Sequence, residues 1–167
     1  MSGDEDLVVQ KMDETIDSLD KYEKDNGLPA LKNPGGEEEL DQYLTMDRTV
    51  VQALSLEECG DIAYRLKQYA FYVQRLHNKE RCRLSWATTR LNRDVTAKLS
   101  SVDKYLKYPN KVALIAQNNS DINKVYNIFT HAKQHMQRLT YLSNAIKDMG
   151  DTLLAIQRIK LSMRREK

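Results

Sequence analysis

The stretch Ser55–Leu99, SLEECGDIAYRLKQYAFYVQRLHNKERCRLSWATTRLNRDVTAKL, contains no proline and a single early glycine, Gly60. Its apolar residues are Ile62, Leu66, Tyr69, Val73, Leu76, Leu84, Ala87, Leu91 and Val95. They recur at steps of three and four, the period of one helix face. One slot in the series is taken by Glu80, a carboxylate placed to pair with a base from another helix or to sit in a wet seam. Ser55 with Glu58 three residues on forms a capping box, in which hydroxyl and carboxylate satisfy backbone N–H groups at a helix start. The stretch therefore predicts one long helix.

Outward from it, SSVDKYLKYPN breaks the helix, KVALIAQ is a short apolar segment, and NNSD offers a second N-cap. A final helix is predicted from about Asp121 to Met163. Its apolar series, which includes Phe129, Met136, Leu139, Ile146, Leu153 and Ile156, resembles a heptad seam. Two helices of about 45 residues are each about 65 Å long and pair most simply as an antiparallel hairpin. A pair of helices has no enclosed core. Its leftover apolar surface predicts self-assembly, with those six residues as the oligomerisation seam.

On the N-terminal side, residues 1–24 read as a short acidic helix with Val8, Met12, Ile16 and Leu19 near one face. DNGLPALKNPGG (Asp25–Gly36) reads as a linker, because Gly and Pro break helices. EEELDQYL restarts a turn or two of helix, and the β-branched RTVVQAL is expected to run extended. The expected fold is all-α: an elongated helical hairpin with a short connecting helix and a flexible acidic arm. The division is an arm over 1–36 and a helical domain over 37–167 that carries the oligomerisation seam.

The chain has 167 residues, 30% of them charged and 7% aromatic, which suits solvent-exposed helices rather than a β-sandwich. Two cysteines, Cys59 and Cys82, make no disulfide framework and fit a reducing, cytoplasmic compartment. No apolar run is long enough to span a bilayer, so no membrane partner is expected. The net charge of +2 hides an asymmetry. Residues 1–58 hold 16 Asp/Glu against 5 Lys/Arg, a net of −11; the remainder holds 8 against 21, a net of +13. Such asymmetry points to a polyanion-binding body with an acidic arm.

The bases concentrate around the only Trp. At about 100° per residue, Arg65, Tyr72, Arg75, Lys79, Arg83, Trp86, Arg90 and Arg93 fall in a stripe about 80° wide. Cations on such a ribbon bind phosphates by releasing counterions, and Tyr or Trp can stack the bases of a single strand. Elsewhere, His131 and His135 in HAKQH share a helix face, but the zincin general-base Glu is replaced by Ala132 and no third ligand is evident. No P-loop, GxGxxG or Ser/His/Asp signature occurs. The sequence thus predicts no enzyme, cofactor or metal site.

In order and spacing, EEELDQYL, TVV, the Ser-capped helix ending in TAKLSSVDKY, NSDINKV and LTYLSNAIKDMGDTLLAIQRIK resemble the UvsY-type recombination mediators of T-even-like phages. The resemblance covers about Glu37–Lys160. It implies a single-stranded DNA-binding mediator that helps load a recombinase where a single-strand binding protein sits, with both as partners. It also implies a homo-oligomer assembled through C-terminal helices, in the cytoplasm of a host. The family's Lys-Ala-Arg-Leu motif falls on Thr96-Ala97-Lys98-Leu99, so Lys98 keeps the second base while Thr96 replaces the first.

Two other classes stand beside this one. A virion or scaffold coiled-coil oligomer has no need of Trp and Tyr interleaved with Arg. A duplex-reading regulator needs a recognition helix pair that the sequence does not display. The arm itself is expected either to compete with DNA for the ribbon, fading near 0.15 M salt where the Debye length is about 8 Å, to dock a partner through its apolar face, or to act as a solubilising tail.

Overall fold

The computed structural model describes residues 3–28 and 32–165, and every regular element among them is helical. In chain order these are α1 (Gly3–Asp25), α2 (Glu37–Leu44), α3 (Arg48–Ala53), α4 (Leu56–Thr96), a 3-10 turn at Leu99–Ser101, α5 (Tyr108–Gln117) and α6 (Ser120–Arg165). Residues 1–2 of the expected arm and 29–31 of the expected linker lie outside the described residues.

The long helix begins as its sequence requires. Ser55 Oγ accepts the Glu58 N–H at 3.1 Å, and Glu58 Oε2 accepts the Ser55 N–H at 2.7 Å. The Ser55 backbone N–H, then the Ser55 hydroxyl and then Lys160 hold the Glu58 carboxyl below its ordinary pKa. α6 is capped by Asn119, whose Oδ1 accepts the Ile122 N–H at 3.1 Å. α5 starts with Pro109 in its first turn, where a missing N–H costs nothing.

RTVVQAL is where the fold departs from the expectation of an extended strand: it is α3. The helix-propensity deficit of a β-branched residue is under about 0.7 kcal/mol. Tertiary contacts outweigh it here. Val51 is buried in a core, and Lys160 Nζ donates to Gln52 O (2.8 Å) and to Leu54 O at the C-terminal end of α3.

The chain divides into two compact units, residues 1–30 with 77–137 and residues 31–76 with 138–167. In the second unit Ala63, Leu66, Tyr69, Ala70 and Val73 of α4 bury against Ile146 and Leu153 of α6, with Val51 of α3. Small residues permit close approach there. A Cβ on Gly60 would stand 2.9 Å from the Gln157 amide nitrogen, which donates to Leu56 O at 2.8 Å. Gly36, with φ +75°, takes the left-handed conformation before α2, and Tyr69 Oη donates to the neighbouring Gly35 carbonyl.

In the first unit Ala87, Leu91 and Val95 of α4 bury with Val112, Ile115 and Ala116 of α5 and Ile122 and Val125 of α6. The segment expected to be a flexible arm contains a 23-residue helix. Met12 and Ile16, one helical turn apart, are only 7% and 8% exposed, and Val8 packs on the first unit's core. Leu19, expected on the same face, is exposed.

Ser55→Ala removes one half of the capping box and should cost about 1 kcal/mol in urea unfolding. The Glu58 half should titrate. A carboxyl whose folded pKa is depressed contributes stability that is complete above its unfolded pKa and is lost as pH falls through the folded value. The difference between wild type and Glu58→Ala should therefore be constant near neutrality and shrink under acid conditions.

Candidate nucleic-acid interface

All the expected ribbon residues lie on α4 except Lys98, which is exposed two residues beyond its end. In the second unit, Arg65 is exposed and ion-paired with Glu39 of α2. Tyr72 and Arg75 are half-buried. On α4 the rings that stand in solvent are two others, Tyr64 at 65% and Phe71 at 61% exposure. The expected ribbon passes over both. Their signal is nonetheless present in the sequence: they sit seven residues apart, off the apolar series, and about 180° from it at 100° per residue. Phe71 and Tyr64 lie within about 40° of Arg75 on the same count.

In the first unit the bases are held by carboxylates. Lys79 Nζ donates to Asp20 Oδ2 of α1 at 2.7 Å. Arg90 Nε donates to Asp94 Oδ2 at 2.6 Å, and Arg93 Nε donates to Asp94 Oδ1 at 3.3 Å. One carboxylate thus serves two guanidinium groups, leaving one net positive charge and most of their N–H donors for a further anion. Trp86 is half-buried and packs on the core of this unit.

Arg83 turns inward. Its Nη1 donates to Glu80 Oε1 at 2.5 Å, and Nδ1 of His135 on α6 lies 3.6 Å from Glu80 Oε2. Glu80, buried in the apolar series, therefore finds its bases on its own helix and on α6. Arg83 serves this buried carboxylate.

α1 runs alongside this part of α4, antiparallel to it. Its Asp20 meets Lys79, while Lys11, Thr15 and Leu19 share a cleft of about 470 Å³ with Cys82, Ser85, Trp86, Thr89, Arg90 and Arg93. Leu7 and Val8 of α1 lie further along, with Trp86, Arg90 and Asp121 around a second hollow. Burying Met12 and Ile16 contributes about 1.5–3 kcal/mol each, whereas a partly exposed ion pair such as Lys79–Asp20 contributes about 0–1 kcal/mol. Apolar contact, rather than charge alone, seats α1, so the seat is less sensitive to salt than a tethered acidic tail would be.

The six residues expected to form an oligomerisation seam are engaged within the chain. Ile146 and Leu153 are fully buried in the second unit's core, with Leu139 and Ile156 packed against it. Phe129 packs on the first unit's core, and Met136 is half-buried. Apolar side chains left in solvent on α6 are Tyr141, Ile159, Leu161 and Met163.

The rings of His131 and His135 stack with centroids 6.5 Å apart. Among the described residues no three His, Cys, Asp or Glu gather as a metal site, and no helix is long and apolar enough to cross a membrane. Comparison with protein-family models, with curated proteins and with solved structures finds no match.

Glu80→Ala should strand the half-buried Arg83 charge. The expected loss is about 1–3 kcal/mol, measured by urea unfolding, with Glu80→Gln milder because it still accepts a hydrogen bond. A loss under about half a kilocalorie for both variants would show that Arg83 re-solvates without cost.

Proposed function

We propose that the chain binds single-stranded DNA through basic and aromatic residues of α4 and acts, without catalysis, as a recombination mediator that helps a recombinase onto strands held by a single-strand binding protein. The DNA-binding half of this reading is supported chiefly by one observation: Tyr64 and Phe71 stand in solvent on α4, close in helical phase to Arg75. Exposed aromatic rings beside cations suit base stacking combined with phosphate neutralisation, which needs no sequence preference. Arg90, Arg93 and Lys79 offer the same chemistry in the first unit beside Trp86. The mediator half rests on the resemblance to UvsY-type proteins across Glu37–Lys160. On this reading the protein works in the host cytoplasm, and α4 and α6 form an elongated hairpin.

The same reading includes a homo-oligomer. Because Ile146 and Leu153 are spent inside the chain, contact between copies falls to the exposed apolar residues Ile159, Leu161 and Met163 of α6. A scaffold oligomer without a nucleic-acid role shares that surface. It has no use for Tyr64 and Phe71 beside Arg75.

Fluorescence anisotropy on labelled oligothymidylate across a salt series tests the binding. Tyr64→Ala and Phe71→Ala should each weaken it by about 1–3 kcal/mol with the salt slope nearly unchanged. Arg75→Gln should flatten the slope by about 0.7. Absent or salt-independent binding contradicts the proposal. For assembly, Ile159→Asp with Met163→Asp should lower the mass seen by light scattering while circular dichroism stays intact. Ile146→Asp should unfold the protein instead, since an unpaired charge in a core costs several kcal/mol, on the order of 3–5.

A further inference from the structure

We infer that α1 is a built-in competitor of DNA: a docked acidic helix that covers the Lys79–Arg93 segment of α4 and must leave before a strand can stack on Trp86. This rests on the proposed DNA-binding reading of α4 and adds its regulation.

Three features of α1 converge. First, its charge is that of the ligand. Between Gly3 and Asp25 it carries nine carboxylates against three lysines, a net of −6, and it lies beside a helix with eight bases against five carboxylates. Second, it holds a ribbon base directly, through Asp20 on Lys79 at 2.7 Å. Third, it is seated by apolar side chains, Met12 and Ile16, both under a tenth exposed. A solubilising tail needs none of these contacts.

The cover is incomplete as well as close. The cleft between Lys11, Thr15 and Leu19 on one side and Cys82, Trp86, Arg90 and Arg93 on the other is open, with hydroxyls of Ser85 and Thr89 in its wall. A nucleobase entering against Trp86 would bring its phosphates towards the carboxylates of α1. Like-charge repulsion then opposes strand and cover occupying the face together, which makes them alternatives. If α1 is seated in about 90–99% of molecules, the apparent DNA affinity lies about 10–100-fold below that of the open state.

Cys82 provides the test. It is half-buried on the same cleft as Thr15, whereas Cys59 is fully buried and out of reach. In the full-length Thr15→Cys protein, oxidation should bridge the introduced thiol to Cys82 and pin α1 in place. Labelled oligothymidylate should then bind at least about tenfold more weakly than to the same protein after reduction, and the Thr15→Cys, Cys82→Ser control should ignore oxidant. Conversely, Asp20→Asn and Ile16→Ser, checked by circular dichroism, should bind more tightly than wild type. Failure of the two thiols to join, both by oxidation and with a bis-methanethiosulfonate reagent long enough to span the cleft, overturns the seating of α1 on α4. A bridge that forms and leaves affinity unchanged overturns the cover while the DNA-binding reading stands. Folded Ile16→Ser protein that binds no DNA removes the DNA-binding reading and the cover with it.

Discussion

Burial of one apolar stripe of α4 against α6 is the constraint from which the remaining features follow. In the second unit Leu66 meets Ile146 and Leu153, with Ala63 and Ala70 small enough to let the helices approach. In the first, Ala87, Leu91 and Val95 do the same against Ile122 and Val125. The opposing Gly150 lies at ordinary contact distance, with a Cβ placed there 3.8 Å from Leu66. A helix has only so many faces at 3.6 residues per turn. Once one is committed, the phases of all other side chains are fixed.

That commitment sorts the charged and aromatic residues. Tyr69 is on the buried side and spends its hydroxyl on the Gly35 carbonyl. Arg83 is drawn to Glu80, the one carboxylate in the buried series. Tyr64, Phe71 and Arg75 are left on the far side, in the second unit. Cys82, Trp86 and Arg93 share their helical phase to within about 60°, and in the first unit α1 lies over that phase. In the second unit Tyr64 and Phe71 of that phase stand in solvent, and in the first Trp86 and Arg93 share a cleft with residues of α1.

Much of this was legible in the sequence where local rules dominate. The Ser55–Glu58 cap, the reach of α4 and α6 and the all-helical character follow from capping chemistry and a three-four apolar period. α3 was not legible, because its helix is stabilised by Lys160, more than a hundred residues away, and by burial of Val51. The ribbon is found by angle, yet angle alone does not reveal which arginine has a carboxylate in reach. Asp94 stands four residues after Arg90, a spacing the helix already offers, whereas Asp20 becomes visible as the partner of Lys79 only in three dimensions. The α6 seam shows the converse problem. A heptad-like pattern states that a face is buried, and leaves open whether the cover is another copy or, as for Ile146 and Leu153, the chain's own α4.

Where a strand lies on the protein is the claim on which the functional account turns, and photocrosslinking addresses it without mutation. A 5-iododeoxyuridine oligonucleotide irradiated on the wild-type protein attaches to aromatic side chains in stacking contact, and mass spectrometry of the digest locates the adducts. The account predicts adducts on α4, at Tyr64 and Phe71, with Trp86 joining them when α1 is released. Adducts confined to Tyr141 of α6 or to Tyr105 before α5, or none under conditions where the oligonucleotide is bound, would contradict it.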